Sequence, residues 1–546
     1  MMIDHEYELA KEEIAQALRD NWTISRESFE LLKRSVSRRH SLTRVPSNPE
    51  ILRLLDAQTR ELARSSILLK ATRSASGVVV VAAMTAPLAC PHGSCLYCPG
   101  GPDRNTPQSY TGQEPAAMRA ISNQFDPRAQ VTQRLRQLEE IGHTTEKVEL
   151  IIMGGTFPSF PLDYQRWFIK ECLDALNGYH SSSLEEAKAG CVSGRRRNVA
   201  LTVETRPDYC REPHIDVMLE MGVTRVEIGL QSVYDDVIRS VRRGHTVEDS
   251  VSAIRIVKDS GLKSVVHMMP GLPGSDLERD IKAFKILFED DRFKPDMLKI
   301  YPTLVVGGTG LEDLYRRGLY TPLSDIEATE VVAKVLEMAP RWVRVMRVQR
   351  DIPAHQILAG PKRGNLRELA ARLLADKGLT TSEIRGREVG LSGGLLPGEQ
   401  IEMKRTYYSG SLGLDVFLEF TGMHSDRLVA YLRLRKPSAM THRSELTDGS
   451  AVVRELKVLG RATPLGEVWP ESKQHRGHGA QLMAEAERIA KCEWGAPKLF
   501  VTSALGTKEY YHRLGYADEG PYVSKALQFP SAQLFYAVNA KRGRRR

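Results

Sequence analysis

Between residues 78 and 348 the chain alternates short apolar runs with long helix-periodic stretches, and that alternation restricts it to an α/β fold. The runs are 78–84, 148–153, 199–203, 225–229, 264–269, 297–301 and 343–348. Most are rich in Val and Ile and read as apolar on both faces, the pattern of parallel strands covered on both sides. Stretches 163–176, 247–258 and 276–288 carry the helical period between them. Repeated strand–helix units of this kind predict a full or partial β/α barrel, with a doubly wound open sheet as the alternative.

The unusual residues follow the runs directly: Cys90, Gly154 and Gly155, Glu204, Gln231, Pro270 and Gly271. In a barrel the chemistry sits at the C-terminal ends of the strands. Gly and Pro end strands in any fold, but that does not account for three cysteines after the first run.

Those three, Cys90, Cys95 and Cys98, fall within Cys90-Pro-His-Gly-Ser-Cys95-Leu-Tyr-Cys98. Thiolates are soft ligands suited to zinc or an iron–sulfur cluster. Zinc commonly takes four ligands, and no fourth Cys occurs before Cys172. Three ligands on a four-iron cluster leave one iron open. His92 is the alternative fourth ligand, for zinc; between Pro91 and Gly93 it also reads as part of a loop. Cys172, Cys191, Cys210 and Cys492 are scattered and read as small apolar residues.

After a Gly-rich linker at 350–401 the pattern changes. Runs 414–420 and 428–434 predict an antiparallel pair, 451–458 a further strand, then a helix from Gly479 to about Lys491 and a strand at 498–502. Gln474-His-Arg-Gly477-His478-Gly479-Ala480 stands at that helix start, where backbone N–H groups and the helix N-terminus suit a pyrophosphate. The organisation predicted is a basic helical segment at 1–73, a barrel at 74–349, the linker, an α+β domain at 402–530 and a basic tail at 531–546.

Charge adds a polyanionic partner. The formal net charge is +9, and between Lys33 and Arg73 ten Lys or Arg face three Asp or Glu. Lys541, Arg542, Arg544, Arg545 and Arg546 make the end basic as well. A solvated helix face and a solvated tail are the plainer readings; the helix-forming stretch favours nucleic acid. Seven cysteines in 546 residues are too few for a disulfide scaffold and suit a reducing cytoplasm. The longest uncharged run, 74–102, is interrupted by Pro87, Pro91 and Pro99, so no membrane span is expected.

The cysteine cluster resembles that of the radical-SAM superfamily, with four residues instead of the usual three between the first two Cys. The resemblance implies a 4Fe–4S cluster held by Cys90, Cys95 and Cys98, S-adenosylmethionine on the open iron, and Gly154 and Gly155 beside its amino group. The C-terminal set, closing with Tyr510-Tyr511-His-Arg-Leu-Gly515, resembles the GNAT acetyltransferases. A radical-SAM barrel followed by a GNAT domain is similar to the family of Elongator catalytic subunits, the tRNA uridine(34) acetyltransferases (tRNA carboxymethyluridine synthases), over roughly residues 65–526. Blocks such as Ile152-Met-Gly-Gly-Thr-Phe157, Glu204-Thr-Arg-Pro207, Gly229-Leu-Gln-Ser232 and Val348-Gln-Arg-Asp-Ile352 carry it.

That resemblance implies acetyl-CoA contacts at Lys147, Glu455, Leu456, Lys457, Val458, Gln474, Gly477, His478, Gly479, Ala480 and Tyr511, with Lys147, Tyr510 and Tyr511 as catalytic residues. It implies that a radical formed from S-adenosylmethionine takes hydrogen from the acetyl methyl group. The resulting carbon adds to C5 of the wobble uridine, and thioester hydrolysis leaves 5-carboxymethyluridine. The partner is the tRNA anticodon stem-loop, with accessory Elongator-like subunits or self-association as further partners. Lys147 lies far in sequence from the GNAT residues, so its carry-over implies that the two domains face each other. The linker segment Thr381-Ser-Glu-Ile-Arg-Gly-Arg387 has no cysteine, so no linker zinc is expected. A protein acetyltransferase would need only the C-terminal half, and a non-catalytic RNA-binding subunit would need neither cofactor signature.

Overall fold

The computed structural model describes residues 2–63, 77–460 and 477–527. Gln474, residues 64–73 of the basic segment and the tail at 531–546 lie outside them. Sixteen strands are formed among the described residues: β1 (Val79–Met84), β2 (Lys147–Met153), β3 (Arg197–Thr205), β4 (Arg225–Gln231), β5 (Lys263–Met268), β6 (Met297–Ile300), β7 (Val305–Val306), β8 (Arg344–Val348), β9 (Ile357–Ala359), β10 (Ile401–Gly410), β11 (Gly413–Gly422), β12 (Leu428–Lys436), β13 (Ala451–Val458), β14 (Lys498–Val501), β15 (Ala517–Glu519) and β16 (Tyr522–Ala526).

The first sheet runs β1-β2-β3-β4-β5-β6-β8, every pairing parallel. A doubly wound sheet reverses its strand order at a switch point. Here the order never reverses, so the sheet is an open, partial β/α barrel. It curls until the segments after its two edges meet: Arg350, just past β8, donates to the Ser109 carbonyl in the loop region after β1.

Helices return each strand to the next, and their starts are written locally. Asp126 accepts from the Ala129 N–H, Asp276 from that of Arg279, and Thr246 forms a reciprocal box with Asp249. Helices Leu162–Asn177, Val247–Asp259 and Leu277–Glu289 fall where the periodicity predicts.

The strands are not apolar on both faces, contrary to the expectation from composition. Alternate residues such as Leu150, Leu201, Val226, Ile228, Val266 and Leu298 pack outward into one core under the helices. The intervening positions, Glu149, Arg225, Glu227, His267 and Lys299, face inward and pair with one another. Barrels of this type ordinarily fill their interior with branched apolar side chains; this lumen is charged.

The second sheet runs β10-β11-β12-β13-β14-β16-β15, antiparallel except for β13 and β14. Helix His478–Arg488 packs on it over Leu482, Met483 and Ala486 and continues as a π turn to Glu493. β10, an edge strand, was not foreseen.

The two sheets meet through buried charge. Along β12, Leu432 and Leu434 face the second core while Arg433 and Arg435 face the barrel. Arg435 bridges Asp259 and Asp415, Arg454 bridges Asp296 and Asp415, and Lys258 pairs with Asp415 at 3.0 Å, all essentially inaccessible. Asp259 and Asp296 stand just before β5 and β6, so the C-terminal domain closes the N-terminal end of the barrel.

At the start of the chain α1 (Met2–Asp20), α2 (Arg26–Arg39) and α3 (Asn48–Leu54) share a core of Ile14, Leu18, Phe29, Val36 and Ile51. The basic face is thinner than composition implies. Lys33 is buried against Glu30 and Asn48, and Arg39 pairs with Glu13. Arg34 and Arg38 are exposed. No helix among the described residues is long and apolar enough to cross a membrane.

Candidate active site

A cavity opens at the C-terminal ends of the barrel strands, reached by Cys90, Gly155, Glu204, Glu227, His267 and Arg347 among others. The cysteine loop lies over it. Backbone and side chains of the neighbouring loops converge on the sulfurs. The Ser109 N–H donates to Cys98 Sγ at 3.0 Å, and Arg243 Nη1 lies 3.7 Å from Cys95 Sγ. The Gln108 amide clamps the loop by accepting from the Cys90 N–H at 2.7 Å and donating to Ser94. Burial raises the Cys90 and Cys98 thiols.

His92 is more than part of a loop: its Nε2 stands 3.2 Å from Cys95 Sγ. Burial, with the fields of Arg206 and Arg243, lowers this imidazole to about 4. The three sulfurs and the His92 ring nitrogens do not all come within 4.8 Å of one another. Ligands of one tetrahedral zinc, each about 2.3 Å from the metal, would. Three soft donors spread more widely, with N–H groups aimed at sulfur, fit a multi-iron cluster.

Gly154 and Gly155, after β2, both have positive φ (139° and 92°). A Cβ on Gly154 would lie 1.9 Å from the Thr85 hydroxyl, so only glycine fits. A Cβ on Gly155 would sit 4.0 Å from Cys90 Sγ, so its bare backbone faces the cysteine loop.

Deeper in the lumen, Tyr110 donates to Glu204 at 2.9 Å, and Glu227 accepts from Lys299 and pairs with His267 at 3.0 Å. Burial would raise the Glu227 carboxyl; Lys299 and His267 overcome it and hold it well below the usual carboxylate range. Glu204 and Gln231 stand out in the sequence and His267 opens a stretch shared with the family, whereas Glu227, Lys299 and Arg243 were not expected in the site. The strict alternation Arg225-Val-Glu-Ile-Gly-Leu-Gln231 carries part of that signal.

At the opposite end of the barrel stand the other predicted residues. β13 pairs with β14 over Ala451–Val453, leaving the β14-side edge of Glu455, Leu456, Lys457 and Val458 without a strand partner among the described residues. Gly477, at φ 82°, opens helix His478–Arg488, and a Cβ on Gly479 would meet the Tyr510 hydroxyl at 2.7 Å. His478 packs on Phe420, and Ala480 lies in the first turn. Tyr510 and Tyr511 stack edge to face at 5.2 Å; Tyr511 is buried in the apolar core and Tyr510 only in part. Burial raises both phenols.

Lys147 opens β2 opposite Arg197, whose guanidinium reaches Glu509 Oε2 at 3.0 Å, next to Tyr510. The structure therefore brings Lys147 to the C-terminal domain. Burial lowers its ammonium group. The cysteine loop and the Gly479 turn lie at opposite ends of the barrel, with the charged lumen between them.

An open parallel barrel with three clustered cysteines at its C-terminal rim defines a radical SAM enzyme, and the radical SAM superfamily matches residues 87–285, with its C-terminal domain at 295–375. The tRNA uridine(34) acetyltransferase of Methanocaldococcus jannaschii is 46% identical over 515 residues, 93% of this chain and 95% of that protein. Human Elongator complex protein 3 is 43% identical over 507 residues, 91% of this chain and 93% of its own length. The solved Methanocaldococcus infernus Elp3, lacking its N-terminus (1–46), superposes with a TM-score of 0.74 at 44% identity, covering 83% of this chain and 100% of that one. The chain belongs to this family of tRNA uridine(34) acetyltransferases and Elongator complex protein 3. Membership implies a 4Fe–4S cluster and S-adenosylmethionine.

Proposed function

We propose that the chain modifies C5 of uridine 34 in the tRNA anticodon loop, using S-adenosylmethionine and acetyl-CoA. The observation that carries this reading is the presence of two cofactor-type sites on one barrel, a cysteine-rimmed cavity at one end and a splayed GNAT-like strand pair at the other. A protein acetyltransferase would leave the cysteine loop without a purpose, and a non-catalytic subunit would leave both.

Cys90, Cys95 and Cys98 would hold the cluster, with Arg243 and the Ser109 N–H stabilising charge on sulfur. Bound there, the cluster and S-adenosylmethionine supply one-electron cleavage and hydrogen-atom abstraction. Gly155 lets backbone N–H and C=O groups approach the methionine moiety. Below, the unpartnered edge of Glu455, Leu456, Lys457 and Val458 offers main-chain groups to the pantetheine amides, and the turn at Gly477, His478, Gly479 and Ala480 directs N–H groups at the pyrophosphate. Tyr510, beside Gly479, and Lys147, tied in through Arg197 and Glu509, flank the thioester. Tyr511 supports Tyr510 from the core. Arg34 and Arg38 supply phosphate contacts to the tRNA, whose unstacked loop bases are the readable part.

The test is mass spectrometry of tRNA nucleosides after anaerobic incubation of the reconstituted protein with both cofactors. 5-Carboxymethyluridine at position 34 is expected; its absence, with S-adenosylmethionine cleavage intact, overturns the reading.

A further inference from the structure

Beneath the cysteine loop the barrel cavity reaches down to one carboxylate. The cavity holds about 110 Å³, several times the roughly 10–15 Å³ that one water needs, so a single fixed water does not fill it. Four of its lining residues keep a buried polar atom without a hydrogen-bond partner among the described residues: Tyr97 Oη, Gln231 Oε1, Arg243 Nε and Glu227 Oε1. Three belong to the rim. Tyr97 stands in the cysteine loop, Arg243 reaches Cys95 Sγ, and Gln231 ends β4. Glu227 lies earlier on the same strand, about 13 Å of extended chain further into the barrel.

The two oxygens of Glu227 have different surroundings. Oε2 accepts from Lys299 and pairs with His267 Nε2 at 3.0 Å. Oε1 has neither contact, on a side chain that is wholly inaccessible. Burial would lower the Lys299 ammonium group; Glu227 overcomes this and raises it, so the pair is ionic. Oε1 is therefore an anionic acceptor still lacking a hydrogen, a costly state for a buried group. Donors stand around it. The His267 ring lies 5.3 Å from that of Tyr301, and Arg347, opposite Lys299 on the neighbouring strand, reaches Tyr301 and Asp351. His267, Tyr301 and Arg347 line the same cavity as Glu227.

An ionised carboxylate only accepts, so the group that meets Oε1 must bring a hydrogen or a positive charge. One ligand atom each from Glu204, Glu227 and His267 lie within 4.8 Å of one another, which makes a cation the rival occupant. Tyr110 already donates to Glu204 at 2.9 Å, however, and Lys299 neutralises Glu227 from its other oxygen, so an ion there would sit against an ammonium group. A hydrogen flanked by two acceptors suits the surroundings better. Oε1 takes the N–H, and the donors of Tyr301 and Arg347 take the acceptors on either side. That pattern is the edge of an imide, carbonyl then N–H then carbonyl.

We propose that Glu227 reads the imide edge of the target uracil, with N3–H on Oε1 and the two carbonyls turned to Tyr301 and Arg347. Assigning the imide to uridine 34 rests on the function proposed above; the unmet acceptor does not. The placement suits C5. In a six-membered ring C5 and N1 both point away from N3, so a base seated N3-first turns C5 and its ribose bond towards the rim, where the cysteine loop lies. A base at this depth has left the anticodon stack, and its Watson–Crick edge is the part to be read. Cytosine offers N3 as a bare acceptor, which would face the charge on Oε1. Glu227 is thereby a specificity-determining residue, separate from the groups that hold the cluster.

The test measures binding, not turnover. Anaerobically reconstituted full-length protein, without reductant, is titrated with anticodon stem-loop RNAs that differ only at position 34: uridine, N3-methyluridine or cytidine. N3-methylation removes the hydrogen and keeps both carbonyls; cytidine removes it without added bulk. The wild type should bind the uridine RNA about tenfold or more tighter than either of the others, as one hydrogen bond to a charged group gives. In Glu227→Gln the Lys299 ammonium keeps the amide oxygen, which turns the NH2 group to the place of Oε1. That variant should bind uridine and cytidine RNAs alike or prefer cytidine, a reversal that a general loss of structure would not produce. A wild type indifferent to position 34, or a Glu227→Gln protein that keeps the uridine preference, overturns the assignment, and the first of these needs no variant. Stoichiometric divalent metal in a protein with Cys90, Cys95 and Cys98 all replaced by Ala would do so as well. If uridine 34 is modified while the three RNAs bind alike, the error lies with Glu227 alone. If uridine 34 is preferred but never modified, the proposed function falls and the pocket stands.

Discussion

Arg454 grips Asp296 with both terminal nitrogens, at 2.5 and 2.7 Å, across the seam between the barrel and the C-terminal sheet. One of those nitrogens also reaches Asp415 at 2.9 Å. Burial alone would raise the Asp296 carboxyl; Arg454 and Arg433 overcome this and hold it well below the usual carboxylate range. A carboxyl depressed by folding contributes stability that is present above its unfolded value, near pH 4, and lost as the pH falls.

Arg454→Met should therefore destabilise the chain by about 3–5 kcal/mol at pH 7, because two buried carboxylates each lose a partner, Asp296 its bidentate one. Urea unfolding measures it. The wild type should weaken steeply below about pH 4, and the variant should show a shallower loss.

Asp280 behaves in the opposite sense. It accepts from the Gly271 N–H and the Ser275 hydroxyl, each at 2.6 Å, and burial raises it to about 6. The unfolded chain releases this proton near pH 4, so its contribution is full below that value and falls as the pH rises to 6. Asp280→Asn should remove this slope and gain up to about 3 kcal/mol at pH 7. Unfolding midpoints at pH 4 and pH 7 provide the comparison; identical slopes in both proteins would refute it.

Replacing any of Cys90, Cys95 or Cys98 by Ala should abolish formation of 5′-deoxyadenosine from S-adenosylmethionine and lower bound iron. Cleavage that survives would remove the radical role from this loop.

Tyr511→Ala is a poor probe of chemistry, since emptying a core position of that size costs about 3–5 kcal/mol of stability. Tyr510→Phe and Tyr511→Phe keep the packing. Loss of acetyl-CoA hydrolysis is expected for Tyr510→Phe and little change for Tyr511→Phe; the reverse pattern would exchange their roles.

Arg34→Ala with Arg38→Ala should weaken tRNA binding and lower the salt slope by about 2 if both touch phosphate. Arg39→Ala should do less, because Arg39 is already paired with Glu13. An unchanged slope in the double variant would place the tRNA elsewhere.

The strand positions, the cysteine loop and the GNAT-like turn were legible because each is a local pattern: a run of Val and Ile, a spacing, a glycine pair. The lumen was not. Its charges are dispersed one per strand, as with Glu149, Glu227 and Lys299, and only the curl of the sheet assembles them. The same holds for the seam, where Arg433, Arg435 and Arg454 stand at separate strand positions among apolar residues and meet only in the fold. Alternation in Tyr431-Leu-Arg-Leu-Arg435 says that two faces differ, but not that the polar one is covered. Edge strand β10 escaped because its exposed side chains carry no apolar stripe.

A barrel filled with valine and isoleucine would be a plug. Removing the charges from this one would, by the same reasoning, make a sturdier protein. Selection of this chain for heat resistance alone should thus recover greasy replacements at Glu227 or Lys299, and the survivors should be hardy but inert, the hollow beneath their cysteine loop filled in.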